Sequence, residues 1–341
     1  MATGSTEQYE VNVMIETTTA NITNLLTLAN PLNTFIFVVG LFALIIGSVT
    51  DIQKREVADW LNYGLMFTGI GIALIFSVVF KDITFIISSL LGLAIMFGLG
   101  CAMFYTGQWG GGDSKMIMGL GALLGLPLAF PLSKTLDLWI YHGSLPILVV
   151  FIIYALIVGG VYGLIWSLVL AFVNRREFIK DFRQRLSAPY YHYVHIVLIA
   201  LFISSVIALF AFDILILKFI LLWATLVIAI LFYTFNFVKS IEACCMIKHV
   251  EPEELTEGEW INKDIFVSKG NSKNAKKEYI AGPKDLGISK EQIARLIKLK
   301  KDGKYKEKVE IKIGIPFVPS FLIAYLLSYF VGLTWLRGLF L

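Results

Sequence analysis

Two aspartates could do chemistry in this chain. Asp51 closes an apolar run in SVTDIQKREVADWLN, and Asp113 follows three glycines in GQWGGGDSKMIMGLGALLG. A carboxylate at the border of a long apolar segment is a functional candidate by default, because burying it is costly. The other aspartates of this kind are Asp59, Asp82, Asp137 and Asp213. Asp82, Asp137 and Asp213 fall in turns between apolar runs and read as solvated loop residues. Taken singly, Asp113 also reads as a helix cap behind a glycine loop, and Asp51 as a polar residue where a helix leaves the bilayer. A phosphate cradle is excluded: counting from Gly107, the P-loop spacing demands Lys at position 113, where Asp stands. As a pair the aspartates suit acid–base work of the aspartic type. Two neighbouring carboxylates hold one proton between them and titrate together. The ionised one deprotonates a water, and the protonated one donates to a carbonyl oxygen.

The elements that must position this pair are set by composition. Hydrophobic residues make up 57% of the 341 and charged residues 16%, against about 25% charged in a soluble domain. The fold class expected is an all-α polytopic membrane protein with about eight spans of the roughly 20 apolar residues a bilayer requires. The runs are 34–50, 63–80, 84–105, 116–130, 146–172, 194–212, 215–237 and 314–332. Recurrent glycines inside them (Gly92, Gly98, Gly100, Gly119, Gly121, Gly125) read mainly as close-packing surface. Loops alternate in charge: Lys54 and Arg55 in one, then Arg175, Arg176, Lys180, Arg183 and Arg185 in another, then a lysine-rich stretch over 239–312. Placing the basic loops inside puts both termini outside, and Asp51 and Asp113 at the same cytoplasmic face. The net charge of +4 reports this orientation and gives no argument for nucleic acid.

The stretch 239–312 has structure of its own. GEWINKDIFVS is strand-like. Ser289 and Gln292 have capping-box spacing before an amphipathic run that ends at Gly303. Val309, Ile311 and Ile313 alternate with Lys308, Glu310 and Lys312, the period of a half-buried strand. The expected organisation is an external segment 1–33, a membrane core 34–131 carrying both aspartates, further spans 132–238 with a basic loop, a cytosolic α+β insertion 239–313, and a last span 314–341. Pro316 and Pro319 are expected in the first turn of that span, where proline is tolerated. MATGSTEQYEVNV lacks a basic n-region, so no cleaved signal peptide is expected. Asn21-Ile22-Thr23 is a weak glycosylation sequon. His192 and His195 lack further ligands and read as an interfacial aromatic belt. Cys101, Cys244 and Cys245 form no CxxC, and no metal site or cofactor is expected.

GGGDSKMIMGLGALLG resembles the GxGD motif of the type IV prepilin peptidases, with Lys115 and the small-residue apolar run matching as well. SVTDIQKREVADWLN resembles that family's first aspartate segment. The likeness is specific over about residues 45–126, and CMIKHVEPEELTEGEW is similar to the archaeal branch, which includes the preflagellin peptidases. The bacterial branch often carries paired CxxC motifs and N-methyltransferase activity; with no CxxC here, methylation is not expected. The resemblance implies a membrane aspartic endopeptidase in the cell membrane, with Asp51 and Asp113 catalytic at the cytoplasmic face. Its partners would be the bilayer and a pilin or archaellin precursor bearing a short basic leader. Gly110, Gly111 and Gly112 would then give an extended substrate backbone room. Glu56 and Asp59 would attract the leader. Lys115 would either support the dyad electrostatically or mark topology. Three other readings stay open: a presenilin-like protease, against which Thr50 precedes Asp51 and no Pro-Ala-Leu segment occurs, a transporter binding an ion or proton at the two aspartates, and a catalytically dead assembly partner.

Overall fold

The computed structural model describes residues 31–127, 141–142, 145–211, 215–268, 277–285 and 287–332. Asp137, Asp213 and the sequon at Asn21 lie outside them. The chain divides into two compact units, 1–163 with 314–341, and 164–313.

In the first unit, apolar runs form α1 (Pro31–Lys54), α2 (Asp59–Val79), α3 (Thr84–Tyr105) and α4 (Gly111–Leu124). A two-residue hairpin, β1 (Tyr141–His142) with β2 (Leu145–Pro146), precedes α5 (Ile147–Val173), whose first part belongs to this unit. α4 packs against both α2 and α3. It buries Met116, Ile117, Leu120, Ala122, Leu123 and Leu124, so it is a core helix rather than a lipid-facing one. Glycines make that possible. A Cβ on Gly69 would stand 2.6 Å from the backbone nitrogen of Leu123, and one on Gly92 would collide with the carbonyl oxygen of Gly121. These helices cross backbone to backbone. Ser89 Oγ adds a hydrogen bond to the Ala122 carbonyl at 2.7 Å. α4 stops at Gly125, which takes φ 64°, and Pro127 follows, a combination that cannot continue a helix.

In the second unit, α6 (Arg175–Leu186), α7 (Pro189–Ala211) and α8 (Leu215–Cys245) follow the rest of α5. The basic stretch expected as a loop is the helix α6, with Phe178 and Phe182 stacked at 5.4 Å one turn apart. Phe178 and Phe182, four apart, carry the helical spacing that the run of charges hid. His195 stacks on Tyr233 at 6.0 Å.

The α+β part follows. β3 (Ile247–Val250), β4 (Trp260–Ile261), β5 (Ile265–Ser268), β6 (Lys277–Ala281), α9 (Lys290–Lys301) and β7 (Val309–Lys312) build an antiparallel sheet of order β3-β7-β4 and a β5-β6 hairpin. GEWINKDIFVS is therefore two strands in different sheets. Ser289 and Gln292 exchange capping bonds, with Gln292 N–H donating to Ser289 Oγ at 3.3 Å and Ser289 N–H to Gln292 Oε1 at 2.8 Å. β7 buries Val309 and Ile311, as its alternation predicts.

The last element, α10 (Val318–Phe330), returns to the first unit. Pro319 sits in its first turn, while Pro316 lies before it. Among the described residues, six helices are long and apolar enough to cross a membrane: α1, α2, α3, α5, α7 and α8. The chain is a multi-pass α-helical membrane protein. The runs expected as a fourth and an eighth span appear as α4 and α10, of 14 and 13 residues. At 1.5 Å per residue such helices reach only about 20 Å, short of the roughly 30 Å hydrocarbon layer.

Candidate active site

Asp51 lies in the last turn of α1, and α1 ends just beyond it. Arg55 takes the left-handed conformation (φ 58°) and its N–H donates to the Asp51 carbonyl at 2.8 Å. That conformation is uncommon for a residue with a side chain and turns the chain sharply toward α2. The Asp51 side chain is buried, 5% exposed. Its Oδ2 accepts the backbone N–H of Val318 at 2.9 Å, so the last helix of the chain starts on the first aspartate.

Asp113 is the third residue of α4, not its cap. Gly110 is the N-cap, and Gly111 and Gly112 are already helical. The carboxylate reaches back, and Gly110 N–H donates to Oδ2 at 3.0 Å. This is half of a capping box, the half that does not need a side chain on the N-cap residue. The side chain also sits at the positive end of the helix. Asp113 is half-buried and within electrostatic reach of Asp51. The two aspartates thus lie at two helix ends, within electrostatic reach of each other.

The glycines answer to the protein's own packing. A Cβ on Gly112 would stand 3.2 Å from the Cβ and the backbone nitrogen of Val57, and one on Gly110 would meet Asp113 Oδ2 at 3.3 Å. At Gly112 the clearance expected for a substrate is thus filled by the loop between α1 and α2. Asn62, fully buried in α2, donates from Nδ2 to the Gly112 carbonyl at 3.3 Å. Ser114 Oγ donates to the Gly100 carbonyl at 3.1 Å, fixing the turn from the α3 side.

The charged residues expected around the pair divide differently. Lys115 Nζ binds Asp59 Oδ1 at 2.6 Å and lies 5.4 Å from the centre of the Tyr63 ring. Its charge is engaged by Asp59, and Asp59 is correspondingly less available to a basic leader. Glu56 is exposed in the turn before α2. Among the described residues no three His, Cys, Asp or Glu side chains cluster as a metal site. A small hollow lies at the other end of α4, between Leu32, Ile72, Phe85 and Gly125; apolar groups dominate its lining.

Three neighbours of the pair were not singled out from the sequence. Trp109, 3% exposed, packs on Phe317 and Phe321 with ring centres at 5.7 and 5.0 Å. Tyr162 on α5 lies edge-on to Phe317 at 6.5 Å and within electrostatic reach of Asp51 and Arg55. Asn62 is the third. The signals were present: an aromatic directly before the glycines, the asparagine of WLN, and two prolines around Phe317.

Residues 38–164, which hold both aspartates and all of their turns except that of α10, match the model of the type IV leader peptidase family. That stretch is similar to the type IV leader peptidases. The chain is similar to the preflagellin peptidase of Methanocaldococcus jannaschii, 38% identical over 117 residues, 33% of this chain and 49% of the relative. It is also similar to that of Methanococcus maripaludis, 38% over 116 residues, 33% and 50% of the two chains. The preflagellin peptidase of Methanococcus voltae is 36% identical over 101 residues, 30% of this chain and 42% of the relative. The chain spans about half the length of the curated relatives it matches. The matched segment thus covers most of α1, then α2 to α4 and the first part of α5. The α+β part and the start of α10 lie beyond it.

Proposed function

We propose that this chain is a membrane-embedded aspartic endopeptidase that removes the short basic leader from preflagellin, with Asp51 and Asp113 as the catalytic pair. The observation that carries this is the presence of those two carboxylates at the ends of α1 and α4, within electrostatic reach of each other, inside the segment that matches the leader peptidases. One carboxylate takes a proton from water as the water oxygen bonds to the scissile carbonyl carbon. The other gives its proton to the carbonyl oxygen. The tetrahedral intermediate collapses, the C–N bond breaks, and the leaving nitrogen takes up a proton. Gly110, Gly111 and Gly112 allow the turn that delivers Asp113 to lie against Val57. The partial exposure of Asp113 supports access for water and a peptide. In this reading the site faces the cytoplasm of the cell membrane, which the basic segments of the chain support. A hydrophobic substrate helix would arrive through the lipid with its leader on that side, where exposed Glu56 favours a basic peptide. No cofactor enters this chemistry.

The test is incubation of membranes carrying the protein with a preflagellin. The expected result is a product shortened at the N-terminus by the leader. An unchanged precursor, with proton or cation flux dependent on Asp51 in vesicles, would replace this reading by the transporter one.

A further inference from the structure

The sequence treats the start of the last helix as a membrane element with prolines in its first turn. Its contacts give it more to do. Val318 is the first residue of α10, and its N–H has no partner within the helix. An ordinary helix meets that need with a Ser, Thr, Asp or Asn cap of its own. Here the N-cap is Phe317, whose side chain makes no cap bond. The acceptor is Asp51 Oδ2, 267 positions away in sequence and 2.9 Å away in space. Pro316 and Pro319 have no N–H to offer, so the donors at the helix start narrow to Phe317 and Val318, and the Val318 N–H is the one bonded to the Asp51 carboxylate.

The same turn is held from other sides. Arg55 Nη1 donates to the Gly314 carbonyl at 3.2 Å, so the segment around Asp51 grips α10 both at and before its start. Phe317 and Phe321 pack on Trp109, the residue before the N-cap glycine of the Asp113 helix. Gly159 lets α5 approach so closely that a Cβ there would stand 2.6 Å from Phe317 Cζ. Val318, Ser320 and Phe321 are completely buried.

We infer that the first turn of α10 is a third wall of the active site, with Val318 and Phe317 as positioning residues that fix the Asp51 carboxylate relative to the Asp113 helix. This rests on the peptidase reading for its consequence, though not for its geometry. A catalytic carboxylate must be held within a fraction of an ångström of its working position. A buried charge-assisted hydrogen bond, braced by aromatic rings that also touch the Asp113 loop, does that.

Two measurements test it separately. Amide exchange at Val318, read in the full chain with isotope-labelled valine, should be slow in the parent and in Asp51→Asn, whose amide oxygen still accepts. It should be about tenfold or more faster in Asp51→Ala. Should Asp51→Ala fail to accumulate in membranes, Asp51→Ser, too short to reach, takes its place. Unchanged exchange in these variants would overturn the inference whether or not the protein cleaves preflagellin. In the cleavage assay, Phe317→Ala should lower kcat about ten- to a hundredfold with KM unchanged, and Phe317→Leu, which keeps apolar contact, should recover most of it. A change in KM alone would contradict positioning. Failure of the parent to cleave would remove the peptidase reading and leave the exchange result standing.

Discussion

Asn62 Nδ2 donates to the Gly112 carbonyl at 3.3 Å, tying the helix that follows the first aspartate to the turn that carries the second. The asparagine is fully buried and its Oδ1 has no partner among the described residues. It therefore supports the turn at some expense in stability, since an unpaired buried acceptor is destabilising by about 1–3 kcal/mol.

Asn62→Leu removes both the bond and the orphan oxygen at similar volume. The expected outcome is a thermal midpoint in detergent within a few degrees of the parent, with cleavage reduced about tenfold by a loosened Asp113 turn. Unaltered turnover would show that Asn62 has no part in placing Asp113.

Gly112→Leu drives a side chain into Val57, 3.2 Å from where its Cβ would be. Activity should fall by well over about tenfold, as overpacking at this level costs about 1–3 kcal/mol and moves the Asp113 turn. Membrane insertion should persist, because α1 to α3 keep their apolar spans. Gly112→Ala is the graded control, with a loss smaller than that of Gly112→Leu.

Gly92→Leu strikes elsewhere. Its Cβ meets the Gly121 carbonyl where α3 and α4 cross, so the loss is one of folding rather than of chemistry. Accumulation in membranes and the thermal midpoint should both drop, whereas Gly98→Leu, at a position with open space around a Cβ, should leave both unchanged.

In the α+β part, Glu310 accepts from Lys263 Nζ at 2.6 Å and Asn262 Nδ2 at 3.0 Å and faces His249. Lys263 first, then Asn262, holds its carboxyl below the usual range. A depressed carboxylate adds stability above its unfolded pKa, and that stability is lost as pH falls through the lower folded value. Amide exchange in β3 and β7 should therefore speed up below about pH 4.5, and less so in Glu310→Gln. Lys263 is largely exposed, so solvent screening keeps the effect near 1 kcal/mol or less.

Much of this architecture was legible in the residues. The eight apolar runs all became helices, six of them long enough to cross a membrane, the period of two marks β7, and Ser289 with Gln292 announces α9. The pair Asp51 and Asp113 stood out because carboxylates are rare beside apolar runs. What the sequence hid was tertiary. Whether an apolar run is a span or a short core helix depends on where it stops, and Gly125 with Pro127 stopped α4 early. The role of Gly112 needed Val57, 55 positions upstream, to become visible. The partner of Asp51 is a backbone N–H, which no residue type advertises. Local charge also misled: Lys115 lies two residues from Asp113 in sequence, yet it pairs with Asp59 across the helix interface.

The most direct test of the central claim is preflagellin cleavage by Asp51→Asn and by Asp113→Asn, each compared with the parent at equal membrane abundance, with the product read by mass. Two carboxylates that share the acid and base roles predict no leader-free product from either variant, although each keeps its shape and its backbone hydrogen bond. Leader removal by either one at the parent's rate would contradict the dyad.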